Sequence, residues 1–152
     1  MPLIIRPRAE SDLDALVALL AESHRTDQYP LMGEHVNADW LTEKGDPVWV
    51  AELDGVVVGH AGVVGTSGSP LELTRLVVSP TARGAGVAAG LLDVIDDHAA
   101  AVGSSLYLEV LELNAAAIRL YERRGWRMTS SDVANWFGTD GPHPVIRSYV
   151  KL

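Results

Sequence analysis

The stretch from Leu71 to Gly103 limits the fold more than any other part of the chain. Leu71 to Val78 is rich in strand formers, and Ser79-Pro80 stops it, because proline cannot donate to a ladder and restricts the residue before it. Arg83-Gly84-Ala85-Gly86-Val87-Ala88 follows as a glycine-containing turn. A helical pattern then runs from about Gly86 to Val102, with Gly103 placed to cap its C-terminus. Strand, turn and long helix in this order need a sheet for the helix to cover, which is an α/β arrangement. The turn also suits an anion. Glycines let the backbone approach a phosphate closely, and a helix N-terminus directs N–H groups and partial positive charge at it. Taken alone, such a turn is equally readable as plain structure.

The flanking segments extend the same architecture. Leu3 to Arg6 reads as a short strand ended by Pro7, and Ser11 with Asp14 resembles a helix cap. Leu13, Leu16, Val17 and Leu20 then recur at helical spacing, for about three turns. Between His24 and Asp46 the pattern weakens, with a short helix expected around Asn37 to Thr42. Val48 to Leu53 and Val56 to Val64 are strands joined by Asp54-Gly55, a strong signal for a tight hairpin. Leu106 to Glu112 is a strand and Ala115 to Arg124 a helix ending at Gly125. The tail from Trp126 holds weaker strands, with Val145 to Lys151 the clearest. No linker or repeat divides the chain, so residues 1–152 are expected to form one α/β domain with a mixed sheet.

Composition removes several classes of function. The chain has no cysteine, which excludes disulfides, thiolate metal sites and a cysteine nucleophile. A net charge of -8 argues against general nucleic-acid binding, which draws on a surplus of Lys and Arg. The opening Met-Pro-Leu-Ile-Ile-Arg has no long apolar run, and no other apolar run is long enough to span a bilayer. A cytoplasmic protein without a membrane or nucleic-acid partner is therefore expected. The histidines at 24, 35, 60, 98 and 143 form no tight ligand pair, so no metal is expected. His60 reads as a core or edge histidine, with a proton relay as the alternative.

Gly84-Ala85-Gly86-Val87-Ala88-Ala89 loosely fits a dinucleotide fingerprint, but the antiparallel hairpin upstream makes that reading poor. The sequence instead resembles the GNAT acetyltransferase superfamily. "LTRLVVSPTARGAGVAAGLLD" is similar to its coenzyme A segment, and "LYLEVLELNAAAIRLYERRGW" to the segment after it. "IIRPRAESDLDALVALL" and "VWVAELDGVVVGHAGV" fit the first strand and helix and the hairpin, so the resemblance covers most of the chain. It thins at 24–46 and 128–144. It implies the GNAT acyl-CoA N-acyltransferase fold, a mixed sheet of about six or seven strands flanked by about four helices.

The resemblance also implies a reaction and a set of residues. Acetyl-CoA would be the cosubstrate, and a primary amine, on a small molecule or a peptide N-terminus, would attack it directly in a ternary complex. Main-chain groups of Leu76, Val77 and Val78 would bind the pantetheine arm. Amides of Gly84, Ala85, Gly86, Val87, Ala88 and Ala89, with Arg83 at the turn, would cradle the pyrophosphate. Ala88 stands where glycine is frequent in the family. Asn114 would reach the pantetheine or cap its helix, and Asn is a favoured cap by itself. Tyr121, seven residues on and on the same helix face, would protonate the leaving thiolate. Without the resemblance it reads as a core aromatic. A backbone N–H near Val77 or Val78 would polarise the thioester carbonyl. Glu109 or Glu72, directly or through water, would remove the amine proton; each also reads as a solvated strand carboxylate.

The acceptor is not written in the sequence. Asp27, Glu34, Asp39 and Glu43 in the variable segment suit a cationic one. Trp40 lies in that segment, while Trp49, Trp126 and Trp136 read as core anchors. Arg119 and Arg123, four apart, would suit either an adenosine phosphate or a solvated face. A homodimer through the C-terminal strands is compatible with Val145 to Lys151. The alternative to an enzyme is a non-catalytic acyl-CoA-binding or sensing module of the same fold.

Overall fold

The computed structural model describes residues 2–27, 36–43, 47–65, 69–134 and 143–152. Seven strands, β1 (Leu3–Pro7), β2 (Val48–Leu53), β3 (Val56–Val64), β4 (Leu71–Val78), β5 (Leu106–Leu111), β6 (Arg127–Val133) and β7 (Val145–Lys151), form one sheet. Its order is β1-β2-β3-β4-β5-β7-β6. Pairing is antiparallel throughout except between β4 and β5, which makes the sheet mixed as expected. Asp54 and Gly55 turn the β2–β3 hairpin with φ of 54° and 79°, the positive pair that a right-twisted two-residue connection demands.

Helices α1 (Leu13–Asp27), α2 (Ala38–Glu43), α3 (Val87–Val102) and α4 (Ala115–Arg123) cover the two faces. Successive strand residues point to opposite sides, so Ala51 packs with Leu91, Leu92 and Ile95 of α3 while its neighbour Val50 packs with Leu16, Leu20 and Leu41. The α3 side also receives Ile118, Tyr121 and Trp126. Gly59 lets α3 come close: a Cβ there would lie 2.8 Å from Val87 Cγ1 and 3.1 Å from Leu91 Cδ1.

The entry to α1 differs from the expected Ser11–Asp14 cap. A 3-10 turn, Glu10–Asp12, precedes the helix, and the Asp12 carboxylate accepts the Ala9 N–H at 2.7 Å. Asp12 is chosen over Ser11 because it also binds Arg6 through Nη1 and Nη2, each at 2.8 Å. Arg6 in turn reaches Glu52 on β2. One guanidinium thus joins β1, β2 and the start of α1, and it holds the Asp12 carboxyl below the usual range. At 15 residues α1 makes about four turns, one more than the pattern indicates. Among the described residues, no helix is long and apolar enough to cross a membrane.

Candidate active site

β4 and β5 are paired at only two described positions, Leu71 with Leu106 and Glu72 with Tyr107. β4 continues to Val78 and β5 to Leu111 without further pairing between them. The parallel strands therefore part in the middle of the sheet. Parallel pairing lets a chain leave both C-terminal ends in the same direction, and here β4 leads into the glycine turn and β5 into Asn114 and α4. Leu76, Val77, Val78, the turn and Asn114 consequently gather at one end of the opening.

The turn itself is shaped by a 3-10 segment, Pro80–Ala82, and by two left-handed glycines, Gly84 at φ 83° and Gly86 at φ 77°. Gly86 is the N-cap of α3 and contributes no side-chain cap, and the first turn of α3 carries no acidic residue. The first amides of a helix have no intrahelical acceptor, so Val87, Ala88 and Ala89 present donors and positive dipole from a turn that carries no acid of its own. A Cβ at Gly84 or Gly86 would meet no atom within 4 Å, so space is open over the turn. Arg83 and Ala85 are exposed there. These residues fit a pyrophosphate.

Asn114 precedes α4 and its side chain makes no capping hydrogen bond; its carbonyl accepts the Ile118 N–H at 3.0 Å. The capping alternative for the side chain is thus not realised. Tyr121 is 6% exposed and its ring lies 5.7 Å from that of Trp126, so the core reading of this tyrosine holds whatever else it does. Glu72 lies in register with Tyr107, and Glu109 is two residues along the same strand, so the three project from one face of the sheet. Burial, then the charges of Glu72 and Glu109, pushes the Tyr107 hydroxyl above its ordinary value. Glu72 is half-buried and Glu109 exposed.

Two residues that sequence reasoning passed over, Arg75 in β4 and Arg8, meet His60 of β3. Arg75 adopts φ 57°, and the β3–β4 register slips there, from Gly62 opposite Thr74 to His60 opposite Val77. One additional β4 residue makes this a bulge. The apolar phase records it: Leu71 and Leu73, then Leu76 and Val78, face the α3 core, a step of three where a regular strand has two. His60 is fully buried and bonded to the Arg75 carbonyl and to Arg8, and burial lowers its pKa to about 4. It is therefore a neutral core group rather than a proton relay at ordinary pH. Arg119 and Arg123 are exposed on α4. Glu34 and Trp136, and the side chain of Asp27, lie outside the described residues, while Asp39 is exposed and Glu43 lies 3.8 Å from Arg75.

Residues 13–126 match the profile of the Acetyltransferase (GNAT) family. The chain belongs to that family. An IAA acetyltransferase of Azospirillum brasilense is 34% identical over 150 residues, 95% of each chain. Among solved structures, a ribosomal-protein-alanine N-acetyltransferase from Brucella melitensis superposes with a TM-score of 0.75 at 26% identity, covering 98% of this chain and 99% of the other. The PaiA N-acetyltransferase of Thermoplasma acidophilum, solved with coenzyme A, superposes at 0.72 with 18% identity, covering 97% and 98%, and shares the fold. The GNAT architecture expected from the sequence is the one observed, and the enzyme class is acetyltransferase.

Proposed function

We propose that this GNAT protein transfers the acetyl group of acetyl-CoA to a primary amine by direct attack within a ternary complex. The observation that carries the reading is the parting of β4 and β5 after two register pairs, at the mouth of an acid-free helix N-terminus. The pantetheine arm lies along Leu76, Val77 and Val78, in the place of the missing strand partner. The pyrophosphate is held by amides of Gly84 to Ala89 with Arg83, and Asn114 faces the arm from α4. No metal takes part.

An alkylamine has a pKa near 10 and must lose a proton before it attacks. Glu72 or Glu109, which flank Tyr107, takes that proton directly or through a water. The amine nitrogen bonds to the thioester carbon, the carbonyl oxygen gains charge, and the C–S bond then breaks. The thiolate leaves with a proton from the Tyr121 hydroxyl, and the second proton that the nitrogen sheds as it becomes an amide returns to that oxygen, directly or through a water. The acceptor is a small molecule or a peptide N-terminus. The name of the Brucella neighbour, a ribosomal-protein-alanine N-acetyltransferase, supports the peptide arm of that choice.

A thermal-shift series with acetyl-CoA, CoA, NAD and ATP tests the cofactor. At a hundred times the dissociation constant a ligand adds about 2.7 kcal/mol, roughly 5–11 °C for a chain of this length. CoA species alone should give the shift, and Gly86→Glu, which puts a carboxylate over the amides, should abolish it. CoA release with an amine library then separates an enzyme from a binding module, since a binding module shows the shift and no turnover. Absence of a shift in folded protein at millimolar acetyl-CoA would defeat the proposal.

A further inference from the structure

The bulge in β4 is built around side chains that the reaction above does not use. Arg75 holds φ 57°, a conformation that is costly for a residue other than glycine unless its surroundings enforce it. His60, fully buried on β3, donates from Nδ1 to the Arg75 carbonyl at 2.9 Å. Its Nε2 lies 3.0 Å from Arg8 Nη1. A guanidinium can only donate, so Nε2 accepts and the imidazole is fixed as the neutral Nδ1–H tautomer. Arg8 Nη1 also donates to Leu41 O at 3.1 Å, which ties this pair to α2. Arg75 Nε reaches Trp40 O at 3.2 Å, and its guanidinium stacks 3.9 Å from the centre of the Trp40 ring.

A trans peptide directs its carbonyl and its N–H to opposite sides. The bond that fixes the Arg75 oxygen on His60 therefore fixes the Leu76 N–H pointing away from His60. A hydrogen bond accepted by the carbonyl also polarises the peptide and strengthens that N–H as a donor. Leu76 lies beyond Glu72, the last β4 residue paired with β5. We infer that His60 is a positioning residue, which through the Arg75 carbonyl holds the 75–76 peptide so that the Leu76 N–H meets the carbonyl oxygen of the bound acetyl group. This rests on the acetyl-CoA reading above, and it moves the donor from Val77 or Val78 to Leu76. Rotation of that peptide would turn an oxygen toward the thioester and remove the donor where charge develops. A histidine serving packing alone has no need to bind the carbonyl of a strained residue.

Acetyl-CoA labelled with carbon-13 at its carbonyl, bound to the intact protein, reports this without an acceptor amine. A thioester carbonyl that accepts a hydrogen bond resonates downfield of the free ligand, and wild type should show that shift. His60→Leu removes the Nδ1 donor and should return the resonance to the free position at ligand saturation. His60→Asn keeps an N–H close to the Nδ1 position and should retain the shift. His60→Leu combined with Arg75→Gly should regain it, because glycine holds a left-handed conformation without support. A full shift in His60→Leu overturns the inference, as does a double variant that binds acetyl-CoA and stays at the free position. Should His60→Leu not fold, the wild-type imidazole decides by nitrogen-15 resonances. They should show the Nδ1–H tautomer, with an Nδ1 signal that differs between the CoA and acetyl-CoA complexes, and identical signals overturn the role. Acetyl-CoA binding without a carbonyl shift in wild type sinks this inference alone, whereas no binding sinks the cofactor reading with it.

Discussion

Tyr121 carries two demands at one position. Its ring is part of the α3 core beside Trp126, and its hydroxyl is the proposed acid. Tyr121→Phe preserves the ring, so the melting temperature and acetyl-CoA affinity should change little while kcat falls by about 10²–10⁴. A variant with undiminished turnover would remove Tyr121 from the chemistry and leave it a core residue. The two carboxylates are separable in the same way. Glu72→Gln and Glu109→Gln should differ, with the true base losing about 10²–10⁴ in kcat/KM near neutral pH and the other staying within a few-fold. Equal, small losses in both would point to a water chain that needs neither. Single residues were the least legible level of the sequence. Glycines 84 and 86 announced themselves, because left-handed φ is their particular freedom. Arg75 did not, since a left-handed arginine is enforced by His60 and the fold around it and not by its own preference.

At the scale of elements the sequence was far more explicit. Strand and helix periods, the Asp54-Gly55 turn, the stop at Ser79-Pro80 and the Gly103 cap all correspond to observed boundaries within a residue or so. Those signals are local, arising from backbone preference and one-sided burial. The start of α1 was misread because its cap is long-range: Asp12 is held by Arg6, and Arg6 by Glu52 on another strand. Asp12→Asn should therefore destabilise by about 2 kcal/mol, measured by urea unfolding, while Ser11→Ala stays within about 0.5 kcal/mol. The contact of β3 with α3 is equally demanding. Gly59→Ala places a methyl 2.8 Å from Val87 Cγ1, and an overpacked site of this kind costs about 1–3 kcal/mol. A neutral result would mean that α3 can slide away from the sheet.

For the whole molecule, stability should depend on pH through buried groups that the fold holds in one protonation state. His60 is neutral in the folded protein with a pKa of about 4, against about 6.5 in an unfolded chain. Between these values the unfolded state binds the additional proton. The stabilisation is therefore complete above pH 6.5 and is lost as pH falls toward 4, by at most ~1.4 kcal/mol per unit. Asp12 acts in the same direction at lower pH: its carboxyl is depressed by Arg6, so its contribution is present above about pH 4 and fades as pH drops through the folded value. Urea midpoints should decline from pH 7 to 4.5 in wild type and decline less in His60→Asn. An unchanged slope in that variant would assign the effect to another group.

The two-pair junction of β4 and β5 also divides the sheet into unequal panels, β1 to β4 and β5-β7-β6, joined across the seam by little ladder and by the helices laid over it. A ligand lodged in the seam would act as a temporary eighth strand. In the free protein the smaller panel should open at a lower free energy than the larger, visible as earlier amide exchange in β5, β6 and β7. With acetyl-CoA bound, both panels should exchange together, so that the substrate completes the cooperativity of the protein that consumes it.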